Sequence, residues 1–343
     1  MLGWMRTTEF EFDLPPGLIA QEPAEPRDAS RLMVLRSGRS TVEHRHFRDL
    51  PELLRPGDLL VVNDTRVMAA RLFGRRPGTG GQVEALLVRP FSDRRWEVLF
   101  RPARQAVPGR RFEFETADGA LWGEVVAREP STVVVEFEGT FDPATVGSVP
   151  LPPYIKGFRG DPERYQTVYS RDARSAAAPT AGLHFTSALL ARLDAMGVGR
   201  TAVTLAVGPG TFRPVSVEDP REHELHAEHV AVPVEAAEAI VRAHAEGRRV
   251  VAVGTTVVRT LEHVARERGQ VEAYSGWTRL KILPGDDFRV VDVLITNFHL
   301  PRSTLLMLVC ALGGQERVLG AYREAVRERY RFYSFGDAML VEP

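Results

Sequence analysis

The sequence has a single cysteine, Cys310, among 343 residues. This excludes an internal disulfide and a zinc site built from cysteines, and it is typical of a reducing compartment. Lysine is nearly absent, since it occurs only at Lys156 and Lys281, so arginine carries almost all of the positive charge. Arginine binds phosphate and carboxylate groups through two parallel hydrogen bonds. A GC-rich genome explains the same composition equally well.

Long apolar segments are also missing. The longest, 304–312, is far shorter than the roughly 20 residues needed to cross a bilayer. The N-terminal sequence lacks the apolar core of a secretory signal peptide. We therefore expect a cytoplasmic protein. The net charge of −1 does not indicate a nucleic-acid partner, although a local basic surface would be enough for one.

Two patterns divide the chain. Residues 82–139 contain five short apolar segments at intervals of about a dozen residues, several of them alternating with polar residues, which is typical of an antiparallel barrel or sandwich. Elsewhere apolar strands alternate with amphipathic helices, which favours a largely parallel sheet. We predict a mixed, mainly parallel α/β main domain, residues 1–62 plus 150–343, interrupted by an inserted antiparallel β-barrel domain, residues 63–149.

Polar residues follow the apolar strand 59–62 in the turn Asn63-Asp64-Thr65-Arg66. Open α/β sheets place ligand contacts at such turns. In the alternative interpretation, Asp64 only caps the turn. Arg31 stands at the end of a charged loop ahead of another apolar strand, where it serves either a ligand or a local salt bridge.

The segment 176–186, AAAPTAGLHFT, places small residues and the lone His184 just before a predicted helix. Gly182 allows a close backbone approach to a ligand, and a helix N-terminus favours an anion or a polar group. A tight turn with a structurally bonded histidine is the alternative. We expect Thr180, in the same turn, to share this environment.

Two further glycine turns follow predicted strands. Gly254 separates a strand from a helix, so the amides of 255–257 can meet an anion such as a substrate carboxylate, and Arg259 lies on the first turn of that helix. The turn 208–212, Gly-Pro-Gly-Thr-Phe, is a weak nucleotide signal and a strong turn signal.

Three histidines, His223, His226 and His229, have the spacing HxxHxxH. The segment runs into AEHVAVP, which alternates like a strand and would scatter the three side chains over both faces. We therefore expect no metal site. His226 and Glu228 would share one face, as a pair suited to proton transfer.

Basic and aromatic residues occur together in two places that suit RNA. The alternatives are a solvated barrel face and a helix followed by a packed strand. The barrel candidates are Arg89, Arg94, Arg95, Trp96, Phe100, Arg101, Arg104, Arg110 and Arg111. The C-terminal candidates, within 322–341, are Arg323, Arg327, Arg329, Tyr330, Arg331, Phe332 and Tyr333.

Taken together, these segments resemble the S-adenosylmethionine:tRNA ribosyltransferase-isomerase family of queuosine biosynthesis. The resemblance rests on the number and order of the motifs LIAQEPAEPRDASRL, GDLLVVNDTRVMAARLFG, LPPYI, RYQTVYS, AAPTAGLHFT, VGPGTFRPV, HELHAE, GTTVVRTLE and ITNFHLPRSTLLMLV. The chain departs from the family at Arg174-Ser175, where a small pair is usual, and at 280–283, where a more aromatic stretch is usual.

The resemblance implies an α/β domain with an inserted barrel and a reaction on tRNA. The substrate is 7-aminomethyl-7-deazaguanine at the anticodon wobble position. The ribosyl part of S-adenosylmethionine, the co-substrate, moves to the aminomethyl nitrogen and becomes an epoxycyclopentane, while adenine and methionine leave. The partner is the anticodon loop of tRNA; from the residues themselves we expect no metal and no membrane, and we infer no protein partner.

This reaction needs proton transfers at near-neutral pKa values. The motif residues that offer them are Asp64, His184, His226, Glu228 and His299. Arg31, Arg66 and Arg259 are candidates for the methionine carboxylate or for phosphates. The remaining candidates for binding the co-substrate, with Phe212 stacking on adenine, are Thr180, Gly182, Gly208, Gly210, Thr211, Phe212, Thr255 and Asn297.

Two other functions remain open from the sequence: a non-catalytic RNA-binding protein, and another nucleoside or phosphoribosyl transferase. The enzymatic hypothesis requires polar turns from distant parts of the chain to meet. We therefore expect Asp64, His184, His226 and His299 to lie at one cavity on the rim of the sheet.

Overall fold

The computed structural model describes residues 5–39, 41–130, 132–143, 145–208 and 215–343. The chain forms two compact units. The first comprises Met1–Thr65, Pro153–Asp172 and Ala178–Pro343, and the second comprises Arg66–Pro152 and Ala173–Ala177. Sequence reasoning placed 150–152 and 173–177 in the main domain and 63–65 in the inserted domain. Residues 173–177 belong to the second unit because their strand pairs with the strand that enters it, where Met68 N–H donates to Ser175 O at 2.9 Å.

The described residues contain five α-helices and seventeen strands. The helices are α1 (Ser187–Ala195), α2 (Val234–Ala245), α3 (Thr255–Arg268), α4 (Thr304–Gly313) and α5 (Gln315–Arg327). The strands are β1 (Arg31–Leu35), β2 (Glu43–His46), β3 (Leu59–Asn63), β4 (Thr65–Val67), β5 (Arg71–Arg75), β6 (Gln82–Pro90), β7 (Arg95–Arg101), β8 (Arg111–Thr116), β9 (Gly119–Arg128), β10 (Val133–Phe137), β11 (Asp172–Ser175), β12 (Gly199–Leu205), β13 (Glu228–Val232), β14 (Val250–Val253), β15 (Tyr274–Thr278), β16 (Val293–Asn297) and β17 (Ala338–Val341).

The first unit is built on a nine-stranded sheet in the order β15-β13-β12-β3-β14-β16-β17-β1-β2. Its centre, from β12 to β16, is parallel, whereas the pairs β15–β13, β13–β12, β16–β17 and β1–β2 are antiparallel. β3 is buried along its whole length, as expected for a central parallel strand covered on both faces. The mixed α/β class predicted from the sequence is confirmed.

Helices cover both faces of this sheet. Alternate residues of β3 enter opposite clusters: Leu59 and Val61 pack with α2 to α5, while Leu60 and Val62 pack with α1 and the 3₁₀ helix Phe47–Glu52. The period of two along a strand produces this division. It leaves the carboxyl ends of the parallel strands as the place where loops can carry a site.

The second unit contains a closed antiparallel barrel, β10-β7-β6-β5-β8-β9. Alternate residues along each strand point inward, so the sequence's period of two is confirmed. Trp96 and Phe100, which the sequence suggested as RNA contacts, are only 5% and 7% exposed and belong to the barrel core. Gly123 lies on β9 beside the β10 residues Val135 and Phe137. A Cβ at this position would be too close to both of their side chains, so a glycine is required.

No single helix in the described ranges has the length and hydropathy to cross a membrane, whereas α4 and α5, which meet at 117°, satisfy both only when taken as a pair.

Candidate active site

A cavity opens in the first unit where β14 and β16 end. About 710 Å³ of space lies within it, a figure that includes the open solvent at its mouth. None of the described residues that line it has an ionised carboxylate, ammonium or guanidinium. The lining consists of Tyr154, Ala178, Pro179, Thr180, Ala181, Val207, Gly254, Thr255, Thr256, Thr296, Asn297, Phe298, His299, Leu300, Ser303, Leu305, Tyr333 and Ser334.

The N-terminus of α3 forms one wall of this cavity. Gly254 has a φ of 91° and turns the chain from β14 into the helix, a conformation that favours glycine. Thr255 and Thr256 line the cavity, and first-turn amides have no partner within their helix. The prediction that the Val257 amide can also meet an anion is wrong, because this amide donates to Gly254 O at 3.2 Å.

The end of β16 forms a second wall, organised by Asn297. Its Nδ2 donates to Tyr333 O at 3.1 Å and lies 3.0 Å from His184 Nε2, while its Oδ1 accepts from the Thr180 hydroxyl at 2.9 Å. Asn297 is 2% exposed. The Asn297 side chain therefore links the turn at 180–184 to the C-terminal turn at 333.

His184 lies behind this wall, outside the cavity lining. Its Nδ1 is 2.7 Å from Ser30 Oγ, its ring stacks on Phe47 at 5.0 Å, and it is 4% exposed. Burial, reinforced by Arg331 and Arg27, lowers the pKa of His184 to about 3. His184 is therefore a structurally bonded histidine in a tight turn, which was the alternative interpretation of the sequence. The prediction of a near-neutral pKa for it is wrong.

His299 lines the cavity. Its Nε2 is 2.8 Å from Thr296 Oγ1, and its backbone N–H donates to the Tyr322 hydroxyl at 2.9 Å. Desolvation lowers the pKa of His299 to about 3. The imidazole is therefore neutral at physiological pH, again in contrast to the expected value near neutrality.

Asp64 and His226 lie outside the cavity lining. The Asp64 carboxylate accepts from the Thr204 hydroxyl at 2.7 Å, which turns it toward β12. His226 is exposed in the loop before β13. The predicted convergence of Asp64, His184, His226 and His299 is therefore wrong, since only His299 lines the cavity.

Glu228 and Arg259 form a buried ion pair, each 6% exposed. Glu228 Oε1 also accepts the Gly208 amide at 3.0 Å, and Arg259 Nε donates to Leu280 O at 2.9 Å. The predicted pairing of His226 with Glu228 on one strand face is wrong, because β13 begins only at Glu228, whose side chain is directed toward Arg259. One nitrogen of Arg259, Nη2, is buried without a hydrogen-bond partner.

The other candidates occupy different places. Arg31 stacks over the Tyr330 ring at 3.7 Å and donates to Glu328 O, so it supports the C-terminal segment. A Cβ at Gly182 would collide with the Tyr169 hydroxyl, so the absence of a side chain there makes room for Tyr169 rather than for a ligand. Arg66 belongs to the second unit. Gly210, Thr211 and Phe212 lie outside the described residues.

Sequence reasoning missed the two tyrosines of the cavity. Tyr154 and Tyr333 stack with ring centroids 4.6 Å apart, and the Tyr154 hydroxyl is 2.6 Å from Ser334 Oγ. Tyr333 has a φ of 70°, an uncommon conformation for a bulky residue and one associated with functional sites. The LPPYI motif and the turn ending at Gly336 were the available signals.

The aromatic side chains of the predicted C-terminal RNA surface are buried and cannot stack on RNA bases. Tyr330 and Phe332 are fully buried and Tyr333 is 8% exposed. On the barrel, several of the suggested arginines form ion pairs with glutamates: Arg89 with Glu97, Arg95 with Glu136, and Arg111 with Glu138. These charges are partly neutralised where they stand.

No cluster of three or more His, Cys, Asp or Glu side chains suited to a metal ion occurs in the described part of the chain. The HxxHxxH spacing does not gather such a set, since His226 lies in a loop and His229 on β13.

Comparison with known proteins gives similarity along nearly the whole chain. A family model described as "Queuosine biosynthesis protein" matches residues 7–341. Proteins named S-adenosylmethionine:tRNA ribosyltransferase-isomerase from Symbiobacterium thermophilum and Thermus thermophilus are 56% and 58% identical. The first alignment covers 98% of this chain and 100% of the relative, and the second covers 97% and 98%.

A solved structure is similar as well. The crystal structure described as S-adenosylmethionine tRNA ribosyltransferase from Thermotoga maritima is 40% identical, with a TM-score of 0.57. The alignment covers 97% of this chain and 99% of that chain. Sequence and fold similarity therefore extend through both units.

Proposed function

The chain belongs to the queuosine biosynthesis protein family, and on that premise we propose that it is an S-adenosylmethionine:tRNA ribosyltransferase-isomerase. The observation that carries the proposal is full-length identity above 50% to proteins of that name. The cavity at the rim of the sheet supplies a place for the chemistry. A tRNA substrate assigns the activity to the cytoplasm.

The reaction we propose is the one implied by the family. The ribosyl part of S-adenosylmethionine is joined to the aminomethyl nitrogen of 7-aminomethyl-7-deazaguanine at the wobble position of tRNA. It is then isomerised to the epoxycyclopentane of epoxyqueuosine. Adenine and methionine are released. The anticodon loop is the part of tRNA that must reach the cavity.

The described lining offers a charged ligand neutral polar and aromatic contacts. S-adenosylmethionine carries a carboxylate, an ammonium and a sulfonium. The first-turn amides at Thr255 and Thr256 suit the carboxylate. The aromatic faces of Tyr154 and Tyr333 suit a cation or a stacked base. We assign the binding role to Thr180, Thr255, Asn297 and these two tyrosines.

The described titratable groups of this cavity are neutral at physiological pH. Desolvation raises the pKa of Tyr333 to about 12 and that of Tyr154 well above its usual value, so both phenols keep their protons. His299, with its pKa lowered to about 3, is neutral and a weak base. We propose that desolvation in the cavity favours the neutral form of the attacking amine and that the His299 imidazole accepts a hydrogen bond from it.

Phosphate contacts with the tRNA are proposed on the barrel. Arg76, Arg110 and Arg111 line one cleft that has no carboxylate in its described lining. Arg111 is paired with Glu138, and Arg110 donates to Gln105 O at 2.8 Å. Since phosphate binding requires local positive charge rather than a basic protein, this cleft suits the RNA backbone.

The decisive experiment measures adenine release. The protein is incubated with S-adenosylmethionine and tRNA that carries either unmodified guanine or the aminomethyl-deazaguanine. Adenine from the modified tRNA alone supports the proposal. Binding of tRNA without turnover supports a non-catalytic RNA-binding protein, and adenine from both tRNAs supports another nucleoside transferase.

A pair of histidine variants locates the activity. His299→Asn removes the imidazole of the cavity and is expected to reduce adenine release by about 10²-fold or more. His226→Asn makes the same change at an exposed position outside the cavity and is expected to leave turnover unchanged. Equal losses in the two variants would refute the placement of the site.

A further inference from the structure

We propose that His184 is a positioning residue that, together with the Tyr333 carbonyl, holds the Asn297 amide so that the Thr180 oxygen is left with acceptor capacity only, for an N–H donor of S-adenosylmethionine. The inference rests on the proposed function, because it names a contact to the co-substrate. It concerns residues of the first unit only. It assigns to His184 a role different from proton transfer.

The orientation of the Asn297 amide is fixed by its neighbours. Its nitrogen lies 3.1 Å from Tyr333 O, and a backbone carbonyl can only accept a hydrogen bond. The flipped amide would set two carbonyl oxygens against each other. Oδ1 is then the atom that accepts from Thr180, at 2.9 Å.

The protonation of His184 follows from that orientation. The Asn297 nitrogen donates, so His184 Nε2, 3.0 Å away, must be the unprotonated nitrogen. The ring proton is therefore on Nδ1, where it donates to Ser30 Oγ at 2.7 Å. Any proton on Nε2 would face the amide protons.

The consequence reaches the cavity through Thr180. A hydroxyl has one proton, and that proton is committed to Asn297 Oδ1. Since Thr180 lines the cavity, any further hydrogen bond from its oxygen is made as an acceptor. The matching ligand group is an N–H donor, which S-adenosylmethionine offers in its adenine amine and its ammonium.

Burial keeps this arrangement in one state. Ser30 and Asn297 are each 2% exposed and His184 is 4% exposed. The ring is also held by its stack on Phe47. A buried polar network has few alternative arrangements, because any member that loses its partner carries the cost of its desolvation.

The first test measures the protonation of His184 in the wild-type protein. ¹⁵N NMR of the histidine side chains should show His184 protonated on Nδ1 and not on Nε2, without titration between pH 5 and 8. A ring protonated on Nε2, or an imidazolium in that range, would overturn the proposal. Because this measurement needs no turnover, it stands whether or not the proposed reaction is found.

The second test uses kinetics with modified tRNA. Thr180→Val removes the acceptor and should raise the KM for S-adenosylmethionine roughly tenfold, whereas Thr180→Ser should restore it. Asn297→Asp keeps the shape but loses both N–H donors, and should move the His184 proton to Nε2 in the NMR spectrum. His184→Ala combined with Thr180→Val should cost no more in KM than the larger single effect.

Three results would count against the proposal. An unchanged KM in Thr180→Val would exclude the acceptor role. Effects of His184→Ala and Thr180→Val that simply add would show that the two residues do not act through one contact. A rise in the KM for tRNA, with that for S-adenosylmethionine unchanged, would place the N–H donor on the wrong substrate.

Discussion

The two units use the same residue type, arginine, in opposite ways. In the barrel, Arg75 pairs with Glu113 and Arg95 pairs with Glu136, each across neighbouring strands at the surface. In the first unit, Arg259 and Glu228 pair in the interior at 6% exposure. Surface pairs are screened by water and contribute little, whereas breaking a buried pair leaves an uncompensated charge. The location of a charge therefore decides its importance more than its partner does.

The largest effect should come from breaking the buried pair. Arg259→Leu removes the guanidinium and leaves the Glu228 carboxylate buried, which should reduce the free energy of unfolding by about 3–5 kcal/mol. Urea denaturation of the full chain measures it. The matched barrel change is Arg95→Leu, which should leave the denaturation midpoint unaltered. Similar shifts in the two variants would remove the contrast between the units.

A steric change tests how tightly the first unit is packed beside its cavity. Gly182→Ala would drive a methyl group into Tyr169 and should reduce the free energy of unfolding by about 1–3 kcal/mol. The Tyr169 hydroxyl is buried without a hydrogen-bond partner, so Tyr169→Phe should cost little. Adding it to Gly182→Ala should recover part of the stability, and a purely additive double variant would argue against this clash.

Acid should weaken the first unit before it weakens the barrel. The folded protein holds His184 and His299 neutral, with pKa values lowered from 6.5 to about 3. The unfolded chain binds protons at these sites below pH 6.5, so their stabilising contribution is present above that pH and is lost as the pH falls toward 3. Each contributes a slope of at most about 1.4 kcal/mol per pH unit.

The barrel carboxylates respond in the same direction, but at lower pH. Arg75 and Arg95 lower the pKa values of Glu113 and Glu136 from 4.5, so the contribution of these pairs is lost only as the pH falls below about 4.5. Urea denaturation at pH 7.5 and 5.5 separates the two effects. His299→Asn should make stability less dependent on pH in this window, and an unchanged dependence would exclude the contribution of His299.

The smallest change is expected at the barrel cleft. Arg76→Gln should weaken the binding of all tRNA sequences to a similar extent. It should also reduce the slope of log affinity against log salt concentration by about one. Arg95→Gln removes the same charge where Glu136 already offsets it, and should affect binding less. Equal losses of tRNA affinity in the two variants would show that the arginine of the cleft contributes no more to binding than another barrel arginine.

Sequence patterns predicted the fold and four of the described residues that line the cavity. The buried strand β3, the barrel, and the turns that carry Thr180, Thr255, Asn297 and His299 all follow from periodicity and from the position of polar turns after strands. Patterns of this kind assign a residue to a turn but not the direction of its side chain. Asp64 follows β3 as predicted, yet its carboxylate bonds to Thr204.

The remaining errors have the same cause. His184 belongs to a short 3₁₀ helix whose bonds to Ser30 and Asn297 come from distant segments. Tyr333 reaches the cavity from a left-handed backbone conformation, which a tyrosine does not predict. The C-terminal aromatic residues suggested RNA contacts because sequence composition does not distinguish a packed aromatic cluster from an exposed one.

The interruption of the first unit by the barrel sets an order of events during synthesis. β3 ends at Asn63, but its sheet neighbours β12 and β14 begin at Gly199 and Val250, long after the barrel has left the ribosome. Each barrel strand from β5 to β10, by contrast, finds its partners within residues 71–137. Domains fold as units when their contacts are complete. The inserted module therefore completes its contacts first, while β3, the strand that will become the centre of the larger sheet, still lacks its sheet neighbours.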